Sequence, residues 1–254
     1  MKTPSLTIAT WNLQKCVGMD LRRDPSRSLE VLSDTGATLA VLQEVDKRLS
    51  PRPTALPRDM IRAEGWTLLP FGPSGLGGPS IGWHGNTMLI RAGISLTRTD
   101  HFALPGLEPR GAILAELDTP IGPLRVIGTH LGLRRRNRLD QIHAISNKLA
   151  TLPALPTLLA GDINEWGSIA GLDHALGGLS FLESDPTFPA LRPIGALDRF
   201  ALSPDLAART LPKPHLTQPA RIASDHLPLV MTLAAAAKGT LSDKDPAKGE
   251  TDLP

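Results

Sequence analysis

Tyrosine is absent from this 254-residue chain, and phenylalanine, tryptophan and tyrosine together make up only 4% of it. Proteins that hold single-stranded nucleic acid usually stack bases on aromatic rings, so this scarcity weighs against that class. The single cysteine, Cys16, excludes an internal disulfide and fits a reducing compartment. The formal net charge is only +2, too small for bulk electrostatics to mark a polyanion binder. No run is long and apolar enough to span a bilayer. Met1–Ser5 leads straight into a strand-like run and leaves no room for a signal peptide, so the cytoplasm is the expected location.

Hydrophobic residues make up 41% of the chain, enough to build a full core. Strand-like runs are spread evenly and no linker interrupts them, so residues 1–237 are expected to form one domain; the chain is expected to be a monomer. After Ala234–Ala237 a polar tail with mixed charges and no apolar period runs over residues 238–254; disorder is expected there.

A first strand is expected over Leu6–Leu13, then a helix near Ser26–Ser33 with Asp24-Pro25 as its start signal. A second strand is expected over Ala37–Val45, and residues 70–85, rich in Gly, Pro and Ser, read as a long loop. Ala112–Leu117 and Leu124–Thr129 flank a turn-rich stretch and predict a hairpin. Leu139, Ile142, Ile145 and Leu149 recur at helical spacing, predicting an amphipathic helix over Asn137–Ala150. Pattern alone gives α/β or α+β.

Five short polar clusters adjoin apolar, strand-like runs. They are Trp11-Asn12, Gln43-Glu44, Thr129-His130, Gly161-Asp162-Ile163-Asn164 and Ser224-Asp225-His226. A buried polar group needs a partner, so five such strand ends make poor core but a sensible cleft around a cation. Asn12, Glu44, Asp162, Asn164 and Asp225 offer only oxygen, the donor that Mg2+ or Mn2+ prefers. His226, directly after an acid, then reads as the proton-transfer group.

Further stretches lie between these clusters: Gly85-Asn86-Thr87-Met88-Leu89, Glu108-Pro109-Arg110-Gly111, Thr187-Phe188-Pro189 and Leu197-Asp198-Arg199-Phe200. In this order the motifs resemble the endonuclease/exonuclease/phosphatase superfamily, the DNase I-like metal-dependent phosphodiesterases, over roughly residues 6–234. The resemblance implies a four-layered α+β sandwich: two mixed, mostly antiparallel sheets packed face to face with helices outside. It implies a metal held by Glu44, Asn12 and Asp225, with Asp162 and Asn164 as catalytic residues, Asp162 positioning or deprotonating the attacking water. Asp198 matches the carboxylate partner of His226, His130 a second histidine on the scissile phosphate, and Asn86 and Arg110 phosphate-binding residues. His84 departs from the family, where many relatives carry an aromatic residue.

Blander readings exist: Glu44 as a surface carboxylate, Gly161–Asn164 as an Asx turn, and Arg110 as an ion-pair partner of Glu108. The run Arg134-Arg135-Arg136-Asn137-Arg138 is expected at the mouth of the cleft, where four arginines could track flanking phosphates. Three functions fit the motifs: hydrolysis of a small or lipid-derived phosphodiester, which low charge and few rings favour; a DNA or RNA nuclease; and a non-catalytic phosphate-binding module.

Overall fold

The computed structural model describes residues 4–47, 52–71 and 77–235. The expected tail, residues 238–254, and part of the expected loop, residues 72–76, lie outside the described residues. The chain runs through β1 (Leu6–Asn12), α1 (Pro25–Asp34), β2 (Leu39–Gln43), α2 (Arg58–Ala63), β3 (Thr67–Leu68) and β4 (Thr87–Ile90). Next come β5 (Ser95–Leu104), β6 (Arg110–Thr119), β7 (Gly122–His130), α3 (Arg135–Ala150), β8 (Thr157–Asp162) and α4 (Ala170–Leu176). The last part is β9 (Ser180–Phe181), β10 (Asp198–Leu202), β11 (Leu206–Ala208), β12 (Lys213–Pro214), α5 (Ala220–Ala223) and β13 (Leu229–Ala235).

One sheet has the order β11-β13-β1-β2-β4-β3, with β12 also paired to β13; the other has the order β5-β6-β7-β8-β10-β9. Only β1/β2 and β7/β8 pair in parallel; every other pair is antiparallel. Two-residue periodicity sorts the side chains into layers. From β1, Leu6 and Ile8 point between the sheets, where they meet Val41, Ile113, Val126, Leu158 and Phe200. Ala9 and Trp11 point the other way and pack under Leu29, Leu32 and Ile61 of the helices. The second sheet does likewise: Leu114, Ile127 and Leu159 pack against Ile142, Ile145 and Leu172 of α3 and α4. Central strands covered on both faces read as continuous apolar runs. Each fully buried Leu or Ile contributes about 1.5–3 kcal/mol. The result is the expected α+β sandwich with helices outside.

Boundaries shift where a residue leaves the ladder. The second strand stops at Gln43, because Glu44 turns to φ +52°. The hairpin is longer than expected: its ladder continues to Thr119↔Gly122, so Pro120 and Ile121 alone form the loop. Asp24 caps α1 by accepting a hydrogen bond from Arg27 N at 3.0 Å. Strand β5 has no counterpart among the expected elements. It is an edge strand whose residues are mostly exposed or half-buried, so it carries no apolar run.

Two glycines fix how close the layers come. A Cβ on Gly128 would lie 2.7 Å from Val41 Cγ1 of the facing sheet. Gly161 holds φ +155°, and a Cβ there would lie 1.9 Å from the Thr129 carbonyl oxygen on the neighbouring strand. That contact is with backbone and cannot be relieved by a rotamer change. Gly161→Ala should therefore destabilise the protein by about 3 kcal/mol or more. Gly36→Ala, which has positive φ but open space around it, should cost about 1–2 kcal/mol. Chemical denaturation of the two variants checks this, and equal losses would contradict the role given to the Thr129 contact.

Candidate active site

The pairing register brings the polar clusters to one end of both sheets. In the parallel pair β1/β2 Asn12 lies beside Gln43, and in β7/β8 His130 lies beside Asp162. Antiparallel β10 starts where β8 finishes, with Asp198 opposite Asp162. Asn86 precedes β4, Arg110 opens β6, and Ser224–His226 precede β13. Every residue expected at the site thus lies at, or within four residues of, a strand end facing the same way.

Asp162 is the meeting point. Its Oδ2 accepts a hydrogen bond from Asn12 Nδ2 at 3.1 Å, across from the other sheet. The same oxygen lies 3.4 Å from His130 Nε2 and 3.7 Å from His226 Nε2. Oδ1 accepts the Asn164 backbone N–H at 3.0 Å, so an Asx turn is present as well as a cleft carboxylate. Asn164 donates through Nδ2 to the Leu131 carbonyl at 2.9 Å. His226 Nδ1 pairs with Asp198 Oδ2 at 2.8 Å, and Thr187 Oγ1 donates to that same oxygen at 2.5 Å. Asp198, His226 and Asp162 form a carboxylate–imidazole–carboxylate row, and Trp11 Nε1 fixes the His226 carbonyl at 2.8 Å. Asp198, His226 and Asp162 also bring one ligand-type atom each within 4.8 Å of one another.

The two histidines are pushed in opposite directions. Burial works against charge on His226, but Asp198 and then Asp162 outweigh it and raise its pKa to about 9. His130 has no comparable partner: burial is the largest effect, Arg110 and His226 add to it, and Asp162 fails to compensate, so its pKa falls to about 3. At neutral pH one ring is a cation and its neighbour is neutral.

Glu44 forms an ion pair with Lys15, whose backbone N–H also donates to the Glu44 carbonyl at 3.0 Å. Lys15 follows Asn12 by three residues, a proximity visible in the sequence, yet the strand-end argument passes over it because it is not an oxygen donor. Asp225 reaches Ser224 Oγ at 3.3 Å, and that hydroxyl donates to the Asn12 carbonyl at 2.7 Å. Glu44 and Asp225 therefore lie on either side of Asn12. The three offer only oxygen, the donor type a hard divalent cation prefers; Asn12 Oδ1 already accepts the Gln14 backbone N–H at 3.0 Å, and Glu44 already pairs with a positive charge. Among the described residues the Asp162/Asp198/His226 row also brings its ligand-type atoms close enough to share an ion, which it could do only with the His226 ring unprotonated.

Asn86 and Arg110, expected to bind phosphate, each also make contacts within the protein. Asn86 donates to the Gly111 and Trp83 carbonyls at 3.0 and 3.3 Å, and its buried Oδ1 has no hydrogen-bond partner. Arg110 Nε lies 3.4 Å from Glu108 Oε2, the ion pair foreseen as an alternative. Both arginine and ion pair border a cleft of about 410 Å³, with Lys15, Glu44, Arg52, His84 and His130. The arginine run does not supply four phosphate contacts. Arg138 is buried, bonding Glu165 at 2.9 Å and the Leu133 carbonyl at 2.6 Å, and Arg135 lies 3.8 Å from Glu165. Backbone strain clusters here too. Gln14, Lys15, Cys16, Glu44, His84 and Asn164 all hold positive φ without being glycine, at a cost of about 1–3 kcal/mol each.

Residues 9–226 match the model of the endonuclease/exonuclease/phosphatase family. The chain is 31% identical over 160 residues to the uncharacterized protein YbhP of Escherichia coli K12, covering 58% of this chain and 62% of that one. Among solved structures it resembles mannosyl-6-phosphatase Bt3783 of Bacteroides thetaiotaomicron, with TM-score 0.69, 16% identity and coverage of 90% and 99% of the two chains. It also resembles D. rerio TDP2 complexed with single strand DNA product, with TM-score 0.67, 16% identity and coverage of 91% and 99%. Strand-end motifs, two-sheet architecture and family match agree, and the chain belongs to the endonuclease/exonuclease/phosphatase family.

Proposed function

We propose that this protein is a divalent-metal-dependent phosphodiesterase acting on a small or lipid-derived phosphodiester. The observation that carries this reading is the buried row Asp198–His226–Asp162 at the strand ends of the two sheets, with 2.8 and 3.7 Å contacts on either side of the ring. Family membership supports it, because this family acts on phosphoester bonds.

Asp162, held by Asn12 and the Asn164 N–H, is the acceptor for the proton of an attacking water. His226, kept protonated by two carboxylates, presents Nε2–H to a phosphoryl oxygen as charge develops there. Asp198 touches no substrate; it fixes which imidazole nitrogen faces the cleft. Neutral His130 orients the phosphate, and Arg110 lines the same cleft. Glu44, Asn12 and Asp225 would hold Mg2+ or Mn2+, which when bound supplies a Lewis acid for the phosphoryl and leaving oxygens. Asn164 completes the oxygen donors at the cleft. Residues 1–237 would form this catalytic unit, working as a monomer in the cytoplasm. A nuclease reading draws on the exposed Arg134 and Arg136 beside the cleft.

The metal assignment has a direct test. Glu44→Gln should weaken Mn2+ binding, read by calorimetry, by about tenfold or more, while Lys15→Met should tighten it several-fold by removing the competing ammonium. Unchanged Mn2+ affinity in Glu44→Gln would refute this ligand set.

Asp162→Asn and His226→Ala should each lower turnover of bis-p-nitrophenyl phosphate by about 10³-fold or more, and the double variant should lose little further. Asp198→Asn should lose less. It should also move the alkaline limb of the rate profile to lower pH: His226 has a raised pKa, its protonated form is retained below about 9, and Asp198 is the first carboxylate holding it there. An unmoved limb would refute the positioning role of Asp198.

A further inference from the structure

Ten large hydrophobic side chains are exposed among the described residues, and five of them ring the catalytic end: Leu107 72%, Leu133 68%, Trp166 59%, Leu191 55% and Ile194 69% exposed. Singly exposed apolar residues are normal; these belong to loops that touch one another. The Leu133 backbone N–H donates to Glu108 Oε2 at 3.1 Å, joining the 131–134 loop to the loop that carries Leu107. Arg138 and Arg135 tie that segment to Glu165, the neighbour of Trp166. The Trp166 ring meets Phe188 edge-on at 5.8 Å and lies over Gly195, next to Ile194. Phe188 in turn meets the His226 ring at 4.8 Å. The apolar arc thus begins at the catalytic histidine and follows the lip of the second sheet.

Arg134 and Arg192 on these loops, and Arg135 and Arg136 in the first turn of α3, are all exposed. Glu108 and Glu165, the acids beside them, are already engaged by Arg110 and Arg138. Apolar tips spaced among cations match an anionic bilayer surface, where each side chain inserts separately and each Arg meets a headgroup phosphate. A protein partner would call for a contiguous groove. A nucleic acid would find only Trp166 here as a well-exposed ring for stacking.

We propose that the rim formed by Leu107, Leu133, Trp166, Leu191 and Ile194, with its arginines, docks the mouth of the site onto membranes containing anionic phospholipid. This deepens the phosphodiesterase reading toward lipid-derived substrates and rests on it for the location of the mouth. Trp11 and Trp66 are buried and Trp83 is half-buried, so Trp166 serves as a built-in reporter.

The experiment mixes the full chain with phosphatidylcholine vesicles, with or without phosphatidylglycerol, and follows tryptophan emission and cosedimentation. Phosphatidylglycerol vesicles should shift the emission to the blue and bind at least about tenfold tighter than phosphatidylcholine alone. Trp166→Phe should abolish the shift while cosedimentation persists. The pair Leu107→Ser and Ile194→Ser should weaken partitioning by about tenfold or more. No cosedimentation, or binding indifferent to Leu107→Ser and Ile194→Ser, overturns the proposal. Salt-sensitive binding to duplex DNA, lost in Arg134→Ser and Arg136→Ser, without vesicle binding would assign the rim to nucleic acid instead. Metal-dependent hydrolysis of bis-p-nitrophenyl phosphate is measured in parallel. A wild type that hydrolyses this soluble ester but ignores vesicles refutes only the docking surface; one that binds vesicles but cleaves nothing refutes the hydrolase.

Discussion

The hydrogen bond from Asn12 to Asp162 joins the ends of strands that belong to different sheets, and the rest of the site depends on that closure. Both residues are almost fully buried, so each polar group must find its partner within the protein. Asn12 can reach across only because the sheets come close, which Gly128 permits at Val41, and Asp162 can sit in its ladder only because Gly161 lets the Thr129 carbonyl approach. Packing geometry and site geometry are therefore one constraint. Any change that spreads the sheets withdraws a partner from Asp162 before it touches a catalytic group.

Charge follows from the same confinement. Asp198 is fully buried and Asp162 nearly so, and His226 between them is a compensating cation. The pair of carboxylates and the single ring form a unit, since removing the ring leaves buried negative charge and removing one acid frees the ring to lose its proton. Glu44 is treated differently. It lies partly open to the cleft, balanced by Lys15. The buried charges are thus balanced inside the protein, and the Glu44–Lys15 pair sits where the cleft opens.

Much of this was legible in the residues. Strand-end clusters announced the site because an apolar run followed by Asn, Glu or Asp violates ordinary core composition, and covered strands carry no competing alternation. Strand β5 escaped notice for the opposite reason: Thr97, Arg98, Thr99 and Asp100 sit on an edge that needs no apolar face. The direction of the arginine run was not legible, because sequence shows charge and not where each side chain goes. Arg135 and Arg138 are three apart on α3 and so share the side facing Glu165, yet Arg138 is buried there while Arg135 stays exposed. Thr187 acts through a contact with a residue 11 positions away, and Lys15, though close to Asn12 in sequence, through one with a residue 29 positions away; local pattern does not show such partners.

Strain gives the last link. Non-glycine residues with positive φ collect at Gln14–Cys16, Glu44, His84 and Asn164, where strands must end abruptly to aim side chains into one cleft. A relaxed backbone would carry β2 onward through Glu44 and point its carboxylate to an ordinary sheet face. The core is large enough to hold these conformations, because apolar layers cover both faces of the central strands that carry them. Stability gathered in the three apolar layers is thereby converted into fixed geometry at the strand ends, while the loops beyond those ends leave Leu107, Trp166 and Ile194 exposed.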